Sequence, residues 1–361
     1  MTHICSTGIG VPEYEIGQGD IKKLVQEIFV SSDKRLSRLL SVFDNAQVEK
    51  RQFAVPATWF KEDHSFKERN DLYKELAIQY SLNAIDDCLK NQDFLEKEVP
   101  YEAIDMIIFV SSTGISTPSI DAHLIHERPF REDVNRMPIW GLGCAGGAIA
   151  LSRAHDWITA NPDKTVLIIC CELCSLTFQK GDMKKSNIIG SALFGDGVCA
   201  TLAVGKNSPY LSYGKHVSPK LLNYSSLTKK GSASVMGWNV TNSGLEVVFS
   251  KSIPSLVQTF WDRHINSFLK ENKITEKQIS SFISHPGGKK VLEAMREVLN
   301  TTDNKLKHSY KVLSQHGNMS SPTVLYVLRQ WMIEDNNRGE KSIISALGPG
   351  FSSELILMEW E

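Results

Sequence analysis

No run of apolar residues among these 361 positions is long enough to span a bilayer. Met1–Gly10 has neither the basic start nor the apolar core of a signal peptide. Charge of one sign is not in excess either. With 40 Lys and Arg against 41 Asp and Glu, the net charge is −1, which gives no footing for a nucleic-acid or membrane-surface partner. Cysteine is present seven times, an odd number, and no Cys/His pairs stand at zinc spacing. Cys170, Cys171 and Cys174 follow the strand-like run Thr165–Ile169 and read as core. His123 and His126 stand three apart with no third ligand in view. No metal is expected, and the cysteines read as reduced thiols of a cytoplasmic protein.

What is there suits a sizeable core: 42% of the residues are hydrophobic and 22% charged, fitting one large domain or two fused ones. The chain is organised around Trp140-Gly-Leu-Gly-Cys144-Ala-Gly-Gly147 and the helix predicted to follow, where Ala148, Leu151, Ala154 and Ile158 recur at helical spacing. Small residues there allow another backbone or a ligand to come close. A cysteine at that helix start faces free amide N–H groups and the positive end of the dipole, so Cys144 is expected as a thiolate nucleophile.

The rest of the chain reads as alternating strands and helices. Ile104–Val110 is a predicted strand ending in Ser111-Ser112-Thr113-Gly114. The Cys144 helix follows, then the strand Thr165–Cys171. The polar stretch Lys206–Gly237 reads as the join between halves. The same grammar then returns: strand Ile279–Ser284 ending in His285-Pro-Gly-Gly288, a helix opening at Gly317-Asn318, and a strand Lys341–Leu347. Order and spacing nearly match, which predicts two duplicated α/β units, 1–205 and 206–361, related by a pseudo-twofold axis. That arrangement puts Cys144 and Asn318 at equivalent helix starts, with His285 at a strand end between them. Helix starts and strand ends are where α/β sheets bind ligands.

These residue types define a reaction. Imidazole serves as base to a cysteine nucleophile. The N–H groups of His285 and Asn318 can hold a carbonyl oxygen as it becomes an enolate. Asn in the third place does not complete a hydrolytic relay. It suits decarboxylation of a malonyl thioester, where an enolate develops and no proton need be abstracted.

Gly143-Cys-Ala-Gly-Gly147, Leu193-Phe-Gly-Asp-Gly197, His285-Pro-Gly-Gly288, Gly317-Asn-Met-Ser-Ser321 and Gly348-Pro-Gly350 together resemble the signature set of the type III polyketide synthases, the chalcone synthase-like enzymes of the thiolase fold. The resemblance spans about residues 5–361. It implies an α/β thiolase-like fold, a Cys144–His285–Asn318 triad, acyl-CoA starters, malonyl-CoA extenders, no bound cofactor and a homodimer. It further implies a substrate pocket drawing on Thr113, Cys174, Thr177, Phe194, Trp238, Val247 and Ser320, with Phe194 as gatekeeper. Lys34 and Arg38 fall in the basic segment that serves CoA phosphates in the family. Ser41 and Asn45 occupy two further places where the family is basic.

Three departures resemble the bacterial alkylpyrone and alkylresorcinol synthases, which take long fatty acyl starters. Val247 replaces a second gate phenylalanine, Cys174 replaces a pocket threonine, and Trp238 stands where plant enzymes have glycine. An apolar tunnel from Cys144 past Cys174 and Val247 is therefore expected, unless the Trp238 indole fills it. Competing readings are a short-chain pyrone or acylphloroglucinol synthase, a ketoacyl synthase of fatty-acid initiation, a Cys-His hydrolase and a non-catalytic acyl-CoA-binding protein.

Overall fold

A computed structural model describes residues 1–29, 39–215 and 217–361. Its strands are β1 (Thr2–Gly10), β2 (Tyr14–Gly17), β3 (Lys50–Phe53), β4 (Met106–Val110), β5 (Asn135–Ile139), β6 (Thr165–Leu173), β7 (Asp196–Gly205), β8 (Pro219–Thr228), β9 (Met236–Thr241), β10 (Gly244–Phe249), β11 (Ile279–Ser284), β12 (Lys341–Gly348) and β13 (Ser352–Trp360). Nine of them hydrogen-bond in the order β11-β12-β13-β8-β1-β7-β6-β4-β5.

The duplication is written into that order. Outward from the β1–β8 join, one side runs β1-β7-β6-β4 and the other β8-β13-β12-β11. Their pairings agree step by step. β7 is antiparallel to β1 and to β6, and β6 is parallel to β4. β13 is antiparallel to β8 and to β12, and β12 is parallel to β11. Within the sheet the two sides are joined at the pairs Thr2↔Leu221 and His3↔Lys220. β5 extends the first side alone.

Helix Gly146–Ala160 touches strands of both sides, β4, β6 and β7 on one and β12 and β13 on the other. It also packs on helix Thr323–Met332. Small residues make this possible: a Cβ added at Gly147 would meet the Ser321 carbonyl oxygen at 2.4 Å. Helix Phe66–Lys90 covers β1, β6 and β7 and begins with a capping box between Ser65 and Glu68.

The polar stretch Lys206–Gly237 leads from β7 of the first side into the second and contains β8, which lies at the centre of the sheet. Its lower half alternates half-buried and exposed side chains, so Asn, Tyr and Ser are tolerated there. β1, which carries few apolar residues for its length, was not predicted and is nevertheless buried almost throughout. Asn318 does not start a helix. It lies in a loop and the helix begins at Thr323, whereas Cys144 is in a single turn, Gly143–Ala145, directly before helix Gly146–Ala160.

Candidate active site

Cys144, His285 and Asn318 line one cleft of about 780 Å³ and are each nearly buried at its floor. The turn before helix Gly146–Ala160 presents Cys144. His285 follows the last residue of β11 and is tied to β12 by its amide, which donates to Ser345 O at 2.7 Å. Asn318 is held by the Leu-Phe-Gly-Asp-Gly segment: its amide donates to Leu193 O at 2.8 Å, and Gly195 N donates to Asn318 O at 3.0 Å. The preceding Gly317 adopts φ +66°, a conformation that side chains disfavour.

Asn318 Oδ1 accepts the Ser320 amide at 2.8 Å and lies 3.8 Å from Cys144 Sγ. With its oxygen so engaged, the Asn318 Nδ2 group has no acceptor among the described residues. Neither ring nitrogen of His285 has a partner among them. The cleft floor therefore holds unsatisfied donors beside a thiol, the arrangement needed to receive a thioester carbonyl.

The resting thiolate expected for Cys144 is not supported by this environment. Burial pushes its thiol up to about 11, and the Glu172 charge adds to this, while hydrogen bonding from Ser320 works the other way. Burial holds His285 down at about 3. A helix start typically contributes about 0.3–1 kcal/mol to an anion, too little to offset that desolvation. Burial thus favours the neutral thiol and the neutral imidazole.

Two buried charged residues of the scaffold gave no sequence signal. The Glu172 carboxylate accepts from Ser112 N and Ser112 Oγ (both 2.9 Å), Thr113 Oγ1 (2.9 Å) and Ser321 Oγ (3.0 Å). It thereby ties the end of β4 to the Asn318 loop. Arg51 is fully buried and donates to Phe194 O at 2.8 Å. Nearby, Asp196 accepts from Ala54 N and Ser175 N, each at 2.7 Å.

The expected substrate residues divide into three groups. Cys174, Thr177, Phe194 and Val247 line an apolar chamber of about 50 Å³, completed by Ile21, Leu24, Val25 and Ile28 of helix Gln18–Ile28. Thr113 and Ser320 line neither cavity, and the Thr113 hydroxyl is committed to Glu172. Trp238 also lines neither; its indole is 6.0 Å from the Phe194 ring. The chamber and the cleft share no lining residue. Between them Phe194, in the chamber wall, stacks at 5.4 Å on Phe249, in the cleft wall. Lys34 and Arg38 lie outside the described residues. Ser41 and Asn45 line the cleft.

A thiolase-like fold with Cys, His and Asn gathered at one cleft defines an acyl-condensing enzyme. Comparison with known proteins narrows this. The family model for chalcone and stilbene synthases matches in its N-terminal domain over residues 32–208 and in its C-terminal domain over residues 226–360. A putative chalcone synthase of Bacillus subtilis (strain 168) is 44% identical, covering 100% of this chain and 99% of its own. The 1,3,6,8-tetrahydroxynaphthalene synthase of Streptomyces peucetius subsp. caesius is 30% identical, covering 99% and 93%. The crystal structure of the corresponding synthase of Streptomyces coelicolor A3(2), a bacterial type III polyketide synthase, superposes with a TM-score of 0.91 at 26% identity, covering 99% of both chains. The chain belongs to the chalcone and stilbene synthase family of type III polyketide synthases.

It is accordingly an acyltransferase that performs decarboxylative Claisen condensation. Enzymes of this family use CoA thioester substrates and need no further cofactor. Among the described residues no helix is long and apolar enough to cross a membrane.

Proposed function

We propose that this enzyme loads a fatty acyl-CoA starter, extends it with malonyl-CoA, and cyclises the product to an alkylpyrone or alkylresorcinol. Cys144 gives its proton to His285 and attacks the starter carbonyl; its S–C bond forms as the bond to CoA sulfur breaks, and CoA leaves with that proton. Malonyl-CoA then loses CO₂, and the electron pair of the broken C–C bond becomes an enolate. His285 and Asn318 Nδ2 hold the enolate oxygen. The enolate carbon attacks the acyl-Cys144 carbonyl, and the Cys144 thiolate departs.

The observation that carries the starter assignment is the apolar chamber beside the cleft, bounded by Cys174, Val247 and an aliphatic helix face. Each methylene buried there contributes about 0.8 kcal/mol. At about 50 Å³ the chamber holds only a short stretch of chain. A longer tail requires Phe194 to turn and helix Gln18–Ile28 to yield. That small volume favours the second reading, a short-chain pyrone or acylphloroglucinol synthase. Product mass spectrometry with malonyl-CoA and starters from acetyl- to stearoyl-CoA decides between them. Alkylpyrones or alkylresorcinols retaining long starters support the first reading; products from short starters alone sink it.

We further propose a C2 homodimer. Ile115 and Trp140 are 47% and 54% exposed, and the Trp140 indole donates to Gly114 O at 3.1 Å. Both lie beside the largely exposed edge strand β5. In the family resemblance, the Gly114–Pro118 loop reaches the partner's cavity. Full activity in a monomer at micromolar concentration, measured by light scattering, would refute a required dimer. The cysteines are free and buried, which suits a reducing cytoplasm.

A further inference from the structure

Three points of the chain mark the partition between the Cys144 cleft and the apolar chamber. In helix Lys185–Leu193, Ile189 lines the cleft and Gly190 the chamber. At its end, Leu193 lines the cleft and Phe194 the chamber. On β10, Phe249 lines the cleft and Val247 the chamber. Two residues apart in a strand, Val247 and Phe249 share one face at a spacing of about 7 Å. Their cross-strand partners on β9, Trp238 and Met236, share that face with them.

The Phe194 ring stands in this partition on a fixed backbone. Its amide donates to Gly190 O at 2.8 Å, and its carbonyl accepts from Arg51 Nη1 at 2.8 Å. The ring therefore moves by its side-chain torsions alone. It packs against Gly190, where an added Cβ would meet Phe194 Cδ2 at 3.3 Å. Phe249 stacks on it at 5.4 Å with 28° between the ring planes, and Trp238 approaches to 6.0 Å. Val247 is too small to restrain the ring from the chamber side, so the restraint falls to Phe249. We propose that Phe249 is a positioning residue that holds the Phe194 ring across the passage from cleft to chamber, and thereby sets the length of acyl starter that Cys144 accepts. This rests on the acyl-CoA starter reading above. A short acyl group on Cys144 stays within the cleft. A longer one enters the chamber only when the stack parts, so the stacking opposes long chains alone.

The test is single-turnover acylation of Cys144 by hexanoyl- and palmitoyl-CoA, read as intact-protein mass below the palmitoyl-CoA micelle threshold. Phe249→Leu keeps an apolar side chain but loses the stack. It should raise the palmitoyl-to-hexanoyl ratio of acylation rates by about two- to tenfold, the worth of one stacked pair. Phe194→Leu removes the held ring itself and should raise the ratio at least as much. Adding Phe249→Leu to that variant should then change nothing further, because the two rings act through one contact. Phe249→Tyr, which can still stack, should keep the wild-type ratio. Phe249 lies on a two-stranded hairpin outside the nine-stranded sheet, and Phe249→Met takes the place of the leucine variant should that fail to fold. An unchanged ratio in the leucine variant overturns the proposal, as does an equal change in both rates. So does a Phe249→Leu effect that persists in full when Phe194 is already leucine. A ratio that shifts as expected, in an enzyme whose products retain only short starters, would uphold the role of Phe249 and sink the long-chain reading.

Discussion

Asn318 Oδ1 lies 3.8 Å from Cys144 Sγ while accepting the Ser320 amide at 2.8 Å. One side-chain oxygen thus fixes which way the amide faces and leaves Nδ2 for a substrate oxygen. Asn318→Ala should reduce malonyl-CoA decarboxylation by about 10²–10³, the usual loss for one oxyanion donor. Loading of a labelled starter on Cys144 should persist. Equal loss of both steps would mark Asn318 as a purely structural residue.

The protonation of the resting site gives a second expectation. With the Cys144 thiol raised to about 11 and His285 lowered to about 3, both groups are neutral between those values. The thiolate fraction, and with it alkylation by iodoacetamide, should therefore keep rising with pH well beyond the ordinary thiol range. Ser320→Ala removes a hydrogen bond that favours the thiolate and should move the profile further up. A wild-type midpoint near or below neutrality would show that an ion pair with His285 prevails over burial.

Starter length is tested at Val247, which lines the chamber. Val247→Phe should shift kcat/KM away from palmitoyl-CoA and towards hexanoyl-CoA. A methylene excluded is worth about 1–3 kcal/mol of discrimination, so several should give a large shift. An unchanged ratio, measured below the palmitoyl-CoA micelle threshold, would remove the chamber from the acyl path.

Glu172→Ala would leave the donors of Ser112, Thr113 and Ser321 unsatisfied in the core. Each buried group so orphaned costs about 1–3 kcal/mol. Chemical denaturation should show a loss of roughly 3–5 kcal/mol, or no folded protein. A loss under about 1 kcal/mol would mean that the carboxylate is not the tie it is taken for.

Gly147→Ala tests the packing beneath the site. Its Cβ would stand 2.4 Å from the Ser321 carbonyl oxygen, a backbone atom that cannot turn aside. Overpacking of this kind costs about 1–3 kcal/mol. Both melting temperature and turnover should fall, because the displaced backbone leads directly into the Asn318 loop. A variant with wild-type stability and rate would refute the close packing.

The three central residues were legible in the sequence because each stands beside glycines at a junction between elements. The same repeat of strand, glycine turn and helix also announced the duplicated fold, with apolar runs such as Val166–Ile169 fitting buried strands. β1 and β8 were not legible, because their polar residues pair with distant strands that no local pattern names. Glu172 and Arg51 were hidden for the same reason: their partners are brought to them only by folding. The protonation of Cys144 and His285 was likewise decided by tertiary structure. Local sequence supplied a helix start that favours the thiolate, but desolvation depends on everything packed around the site, and here it is the larger effect.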